Sequence, residues 1–147
     1  RSTPKPSSAA SDVYKRQVLL AAGIGITPYR SMLRTLTLGD GRPDLSWLTV
    51  VHVVGAAERS VYDDDLDILR AAGARVEIIA DAGLAAGIAE PAALVDLVGR
   101  AVHSGDAHYL VSGNPAFVRT TAATIRRTDT TTRWAFWRIR TDAFLGY

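Results

Sequence analysis

The sequence has no cysteine, a single methionine and few aromatic residues, which make up 7% of its 147 positions. The absence of cysteine excludes disulfide bonds and metal sites built on thiolates. The histidines His52, His103 and His108 lack the H-x-x-x-H spacing of metal ligands, so we expect them to be surface or strand residues and predict no metal site. No apolar run approaches the roughly 20 residues that a membrane-spanning helix needs. The remainder has the composition and length of one globular domain.

Residues 1–17 differ from the rest of the chain, because they are polar, rich in serine and proline, and without hydrophobic periodicity. Residues 12–17 read like a translated sequencing adapter. We therefore interpret residues 1–17 as a non-native or disordered leader and residues 18–147 as the domain, with a natural disordered linker as the alternative. The leader holds four cations and one acid, so the rest of this +2 chain carries a net charge of −1. The charge balance thus gives no argument for a nucleic-acid partner.

Residues 18–28 join an apolar run typical of a buried strand to a turn that contains two glycines. Gly23 is free to adopt a positive φ, and Gly25 would let an anion approach the backbone closely. Thr27 is a good N-cap and Pro28 a good first helical residue, so we expect a helix to begin there. Strand, glycine turn and helix N-terminus together favour binding of a nucleotide pyrophosphate. Because the spacing is G-x-G-x-x-P, a glycine turn with a purely structural role is the alternative.

Two later segments extend this pattern. Residues 108–118 read as a strand, then Ser112 and Gly113, then a helix that Asn114 caps with Pro115 at its first position. The chain ends in a strand and an aromatic tail that contains Phe144 and Tyr147.

Strand-type apolar runs alternate with helical patterns along the whole domain. We predict strands over 18–22, 48–54, 75–80, 109–111 and 134–140, and helices over 27–38, 62–72, 90–103 and 114–127, with a loop of small residues at 81–89. The alternation predicts an α/β fold, a parallel sheet of about five to six strands with helices on both faces, of the Rossmann-like nucleotide-binding type. Since ligands bind where the strand order reverses, we expect the first strand to neighbour the 109–111 strand and the two glycine loops to face one pocket.

The three segments together resemble the nucleotide-binding domain of the ferredoxin–NADP reductase family of flavin-dependent oxidoreductases. The first loop of that family commonly reads GGIGITP, and residues 22–28 read AGIGITP. The late loop reads CGPPAMV or SGPPAMV, and residues 112–118 read SGNPAFV. The family also ends in an aromatic tail near its flavin. The resemblance covers residues 18–147, although the connection at 126–137 is longer than the family pattern.

The resemblance implies a role for each matched residue. The first loop would border the pyrophosphate and the nicotinamide, and Ser112 would orient the nicotinamide ring for hydride transfer without acting as a general base. The terminal aromatic residues would lie near the flavin. Apart from the resemblance, the loop after the second strand places Glu58 and Arg59 where an acid or an arginine would contact the adenosine ribose or its 2′-phosphate. The predicted cofactor-binding residues are Gly23, Gly25, Ile26, Thr27, Pro28, Glu58, Arg59, Ser112, Gly113, Asn114, Pro115, Phe144 and Tyr147, and the predicted catalytic residue is Ser112.

The same resemblance implies NAD or NADP as the bound nucleotide, and FAD or FMN in an upstream barrel with an R-x-Y-[ST] motif that residues 1–17 do not contain. An arginine beside Ser60 favours NADPH and an acid favours NADH, so both remain alternatives. The electron acceptor would be ferredoxin, flavodoxin, a fused iron–sulfur domain or a membrane complex. The intact protein would then be a flavin-dependent NAD(P)H oxidoreductase, located in the cytoplasm or on the cytoplasmic side of a membrane-anchored parent.

Two other classes of protein share parts of this pattern. One is a conventional NAD(P)-dependent dehydrogenase, although the sequence has no Tyr-x-x-x-Lys pair. The other is a stand-alone, non-catalytic nucleotide-binding module, which would have no use for the aromatic tail. Deletion of residues 144–147 would impair hydride transfer in a reductase and leave the nucleotide response of such a module unchanged.

We expect the chain as given to bind a pyridine nucleotide but no flavin, because relatives hold the flavin in the preceding barrel. Absorbance spectra of the purified chain, recorded before and after incubation with FAD or FMN and gel filtration, measure this. A stoichiometric flavin spectrum that co-elutes with the chain would contradict the expectation.

Overall fold

The structure is a computed structural model, and it describes residues 16–39, 41, 43–55, 62–101, 107–129 and 136–145. The strands are β1 (Gln17–Ala22), β2 (Leu48–Val54), β3 (Arg75–Ala80), β4 (His108–Gly113) and β5 (Ile139–Ala143). The helices are α1 (Thr27–Thr37), α2 (Asp63–Ala71), α3 (Ala82–Ala86), α4 (Pro91–Ala101) and α5 (Pro115–Thr128). Short 3₁₀ segments cover Gly23–Ile26 and Phe136–Arg138.

Helices cover both faces of the sheet, which is why β1 and β2 are apolar along nearly their whole length. Leu19 and Ala21 of β1 pack with α1 and α2 on one face. The alternate residues Val18, Leu20 and Ala22 pack with α3, α4 and α5 on the other. Burial of these two apolar clusters supplies the main driving force for folding. The predicted α/β class with helices on both faces is confirmed.

The described strands lie in the order β3-β2-β1-β4-β5, and every neighbouring pair is parallel. The chain builds outward from β1 to β3 and then returns to place β4 on the other side of β1. Leu20 of β1 lies opposite Val111 of β4, so the predicted pairing of these two strands is confirmed. The reversal brings the loops that follow β1 and β4 side by side at the carboxyl edge of the sheet.

The segment predicted as a loop at 81–89 contains the short helix α3. The Asp81 side chain caps this helix by accepting a hydrogen bond from the Leu84 N–H at 2.9 Å, and Gly87 ends it with a φ of 74°. An aspartate that accepts from a first-turn N–H and a left-handed glycine after the last turn are the usual residues at the two ends of a helix. The helix was missed because its small residues show no apolar periodicity.

The last strand was predicted at 134–140, whereas β5 covers Ile139–Ala143. Ile139 is the buried residue of this strand and the four that follow are exposed. An exposed edge strand has no apolar alternation that would mark its bounds in the sequence, and residue 134 lies outside the described residues.

At the other end of the chain, β1 begins at Gln17, whose N–H donates to the Trp47 carbonyl at 3.0 Å. Residues 1–15 lie outside the described ranges, so the leader stays a prediction.

A buried hydrogen bond joins β4 to the end of α5, far from the carboxyl edge of the sheet. The Tyr109 hydroxyl donates to Asp129 Oδ2 at 2.7 Å, and both residues are buried. Burial raises the pKa of Tyr109 well above its usual value, and the hydrogen bond to Asp129 and that residue's charge raise it further. Because the folded phenol stays protonated while an unfolded tyrosine ionises near pH 10, this stabilisation is complete below about pH 10 and declines as the pH rises beyond it.

We expect Tyr109→Phe to lower the free energy of unfolding by about 1–3 kcal/mol at neutral pH, because Asp129 loses a buried donor. Between about pH 9 and about pH 11 the wild-type chain should lose stability more steeply than the variant. Urea denaturation at both ends of this range measures the difference. Equal pH dependence of the two proteins would show that Tyr109 does not carry this effect.

Candidate functional site

The turn after β1 begins with a glycine in the left-handed region. Gly23 has a φ of 53°, and a Cβ built on it would meet no atom within 4 Å. The predicted positive φ is confirmed, and the outer side of the turn is open. The turn Gly23–Ile26 then runs directly into α1, and the Thr27 N–H donates to the Ile24 carbonyl. The N–H groups without a helical partner are therefore those at the start of the 3₁₀ turn.

Gly25 is required for the packing of two loops, a reason that the sequence did not indicate. A Cβ on Gly25 would lie 2.5 Å from the Ser112 carbonyl oxygen and 2.7 Å from the Gly113 N and Cα atoms. The side of Gly25 on which a side chain would project is therefore filled by the backbone of the loop after β4, and the approach of an anion to its main chain stays a prediction. Glycine at this position allows the two loops to pack backbone against backbone.

The residue that follows β5 also contacts the loop after β4. The Phe144 N–H donates to the Gly113 carbonyl at 2.8 Å, so the residue after β5 is fixed beside the late glycine loop. Gly113 itself has a φ of 153°, and a Cβ there would lie 3.0 Å from the Ala22 Cβ. The three segments recognised in the sequence thus meet around Gly113. Phe144 is partly buried and Leu145 exposed, and Tyr147 lies outside the described residues.

Asn114 and Pro115 open α5 as predicted. The Asn114 Oδ1 accepts from the Phe117 N–H at 2.8 Å, and Pro115 is the first residue of the helix. The Asn114 Nδ2 also donates to the Ala85 carbonyl at 2.6 Å. Asparagine at this position therefore holds α3 against the N-terminus of α5, directly after the loop that follows β4.

Thr27 begins α1 but does not cap it, so the predicted N-cap is wrong. The preceding 3₁₀ turn continues straight into the helix, and no side chain caps α1. The Thr27 hydroxyl instead shares a hydrogen bond of 3.1 Å with the Tyr62 hydroxyl. Ile26 is buried in the apolar cluster below, and Pro28 is exposed in the first turn.

The contact between Thr27 and Tyr62 belongs to a small polar cluster that links α1 to the start of α2. The Arg30 guanidinium stacks over the Tyr62 ring at 5.2 Å, and its Nε lies 2.8 Å from the Asp65 carboxylate. This cluster holds the N-terminal half of α1 against the start of α2. Glu58 and Arg59, which shortly precede Tyr62 in sequence, lie outside the described residues, so their nucleotide-binding roles stay predictions.

Two residues of the site were missed in the sequence. His52 of β2 is buried, and its Nε2 lies 2.9 Å from the Gly23 carbonyl; because a carbonyl only accepts, this nitrogen carries the proton. The bond holds the first glycine turn in place. Tyr29 of α1 is 8% exposed and lies near Ser112. A polar residue in an otherwise apolar strand was the available signal for His52, whereas Tyr29 reads as an ordinary core position.

Ser112 is the most unusual polar group of this edge. Its side chain is fully buried at the end of β4, and its hydroxyl has no hydrogen-bond partner among the described residues. A buried hydroxyl without a partner is unfavourable unless another group completes its hydrogen bonds. Thr121 of α5 shares this property but belongs to a helix interior, whereas Ser112 precedes the late glycine loop.

No protein-family model matches the chain, and no curated protein matches it. Among solved structures, the chain is similar to a ferredoxin–NADP+ reductase from Plasmodium falciparum, with a TM-score of 0.63 and 12% sequence identity. The match covers 98% of this chain and 59% of that one, so the chain spans less than two thirds of the length of the reductase. The likeness establishes the fold, and at this level the resemblance inferred from the sequence is confirmed.

We expect Gly25→Ala to lower the free energy of unfolding by about 1–3 kcal/mol, because the new methyl overlaps the backbone of the late loop. Gly23→Ala should lower the free energy of unfolding by about 1 kcal/mol, because the added Cβ has room but the positive φ is strained for alanine. Gly99→Ala is the matched control, because Gly99 lies within α4 and no atom lies within 4 Å of an added Cβ. This substitution should raise the free energy of unfolding by about 0.5–1 kcal/mol. Urea denaturation ranks the three, and a harmless Gly25→Ala would contradict the packing argument.

Proposed function

We propose that this chain is the NAD(P)H-binding part of a flavin-dependent oxidoreductase. The buried, unpartnered hydroxyl of Ser112 carries the proposal, because it lies at the one place where both glycine loops and the terminal segment meet. A ligand with hydrogen-bonding groups would satisfy that hydroxyl. The fold supports the proposal, since ligands of doubly wound sheets bind at the carboxyl edge where strand order reverses.

The open first turn suits the pyrophosphate. The exposed side of Gly23 leaves the start of the turn accessible, and helical N–H groups with their dipole favour a phosphate there. Gly23, Thr27 and Pro28 would border this group, with Gly25 and Ile26 holding the turn against the sheet. Farther along the edge, Glu58 and Arg59 would face the adenosine ribose, with NADH and NADPH both remaining possible ligands.

Ser112 would orient the nicotinamide ring, and Gly113, Asn114 and Pro115 would shape the wall beside it. When bound, the nicotinamide supplies a hydride to a flavin in a domain outside this chain. The described residues near Ser112 include no base that is bonded to its hydroxyl, which suits a role in positioning. Hydride transfer between two rings depends on their placement more than on a protein acid or base.

Phe144 would lie between the nucleotide and the flavin side of the site, together with Tyr147. The bond from its N–H to the Gly113 carbonyl supports this role, because it fixes the start of the tail beside Ser112. The proposal also includes an upstream flavin domain that binds FAD or FMN. It includes an electron acceptor, which would be ferredoxin, flavodoxin, a fused iron–sulfur domain or a membrane complex. A cytoplasmic location belongs to it as well. No helix in the described ranges is both long and apolar enough to cross a membrane.

We expect the full chain to bind NADH or NADPH, and Ser112→Ala to weaken that binding about fivefold, the equivalent of one hydrogen bond. Isothermal titration calorimetry of both proteins with both nucleotides measures this. Thr121→Val is the matched control, because it also removes a buried, unpartnered hydroxyl but lies outside the site. Equal effects of the two substitutions, or no binding by the wild-type chain, would refute the proposal.

A further inference from the structure

Three residues form a row across the sheet at its carboxyl edge. Ser112 of β4 lies opposite Ala21 of β1 and opposite Asp142 of β5. Side chains at paired positions of neighbouring strands point to the same sheet face. Ala21 belongs to the apolar cluster covered by α1 and α2, so the row faces α1.

Tyr29, in the first turn of α1, packs over this row. Its ring belongs to the same apolar cluster as Ala21, Ile26 and Leu33. Burial raises the pKa of Tyr29, the neighbouring Ser112 hydroxyl opposes that rise, and the negative charge of Asp142 adds to it. Tyr29 is therefore a neighbour of buried Ser112 and of exposed Asp142, which lie opposite each other in the row, and its phenol is neutral at physiological pH.

The hydrogen bonding of the Ser112 hydroxyl is incomplete. It has no partner in hydrogen-bonding geometry within the described ranges, although the Tyr29 side chain is a neighbour of Ser112. A phenylalanine would fill the same apolar space without placing a polar atom beside an unpartnered serine. The presence of a phenol here is explained if a bound group uses both hydroxyls.

The chemistry of the pair defines that group. Each hydroxyl both donates and accepts hydrogen bonds, and a primary carboxamide offers one acceptor oxygen and a donor NH₂. The charge of Asp142 disfavours a carboxylate at the same place. We propose that the hydroxyls of Tyr29 and Ser112 together bind the carboxamide of the nicotinamide ring, which makes Tyr29 a specificity-determining residue of the site. This inference rests on the proposed function, because it requires that a pyridine nucleotide binds here.

Tyr29→Phe tests the proposal, since it removes one oxygen and keeps the ring in its cluster. Calorimetric titrations of the full chain with NAD+ or NADP+, whichever binds the wild type more tightly, are compared with titrations of the corresponding ADP-ribose, which lacks nicotinamide. The variant should bind the nucleotide roughly five- to tenfold more weakly, the effect of one hydrogen bond, and bind ADP-ribose unchanged. Tyr62→Phe, which removes a hydroxyl bonded to Thr27 instead, should leave the ratio of the two dissociation constants at its wild-type value.

Thermal denaturation of both variants shows that each is folded before binding is compared. The proposal is overturned if Tyr29→Phe leaves nucleotide affinity unchanged, or if it weakens ADP-ribose binding equally, since the phenol would then serve only the fold. A wild-type chain that binds ADP-ribose no more weakly than the whole nucleotide also overturns it, while leaving nucleotide binding intact. If neither ligand binds the wild type, the proposed function itself fails.

Discussion

The close packing of two backbones at the carboxyl edge is the constraint on which the rest of this site depends. Gly25 lies so near Ser112 and Gly113 that no side chain fits between them. Because β1 and β4 are paired in parallel and their loops leave the sheet together, this contact fixes the position of each loop relative to the other. The buried hydroxyl of Ser112 and the start of α1 are thereby held at one edge with little freedom to separate.

Several hydrogen bonds keep that contact in place from different sides. His52 holds the Gly23 carbonyl from β2, Asn114 ties α5 to α3, and the Phe144 N–H holds Gly113 from the end of β5. Each bond uses a backbone carbonyl as the acceptor, so the loops are fixed through their main chain. The Ser112 hydroxyl takes no part in these bonds, and the ligand-binding role proposed for it does not compete with them.

The sequence predicted much of this arrangement because its signals are local. Apolar runs located β1 to β4, and Asn114 with Pro115 located the start of α5 through ordinary capping chemistry. Edge strand β5 was misplaced because only Ile139 is buried, and α3 was missed because its residues are small. Thr27 was assigned as a cap from its type alone, whereas a 3₁₀ turn occupies the residues before it and leaves its hydroxyl to Tyr62.

The sequence by itself determined the alternation of strands and helices, the two glycine turns and the resemblance that they carry. Those features depend on residues close together in the chain, where periodicity, capping and backbone freedom act. Only the tertiary structure decided that Gly25 serves loop packing, that His52 supports the first turn, and that Tyr29 lies beside Ser112. These relations join residues distant in sequence, and the parallel pairing of β1 with β4 creates them by bringing separate chain segments to one edge.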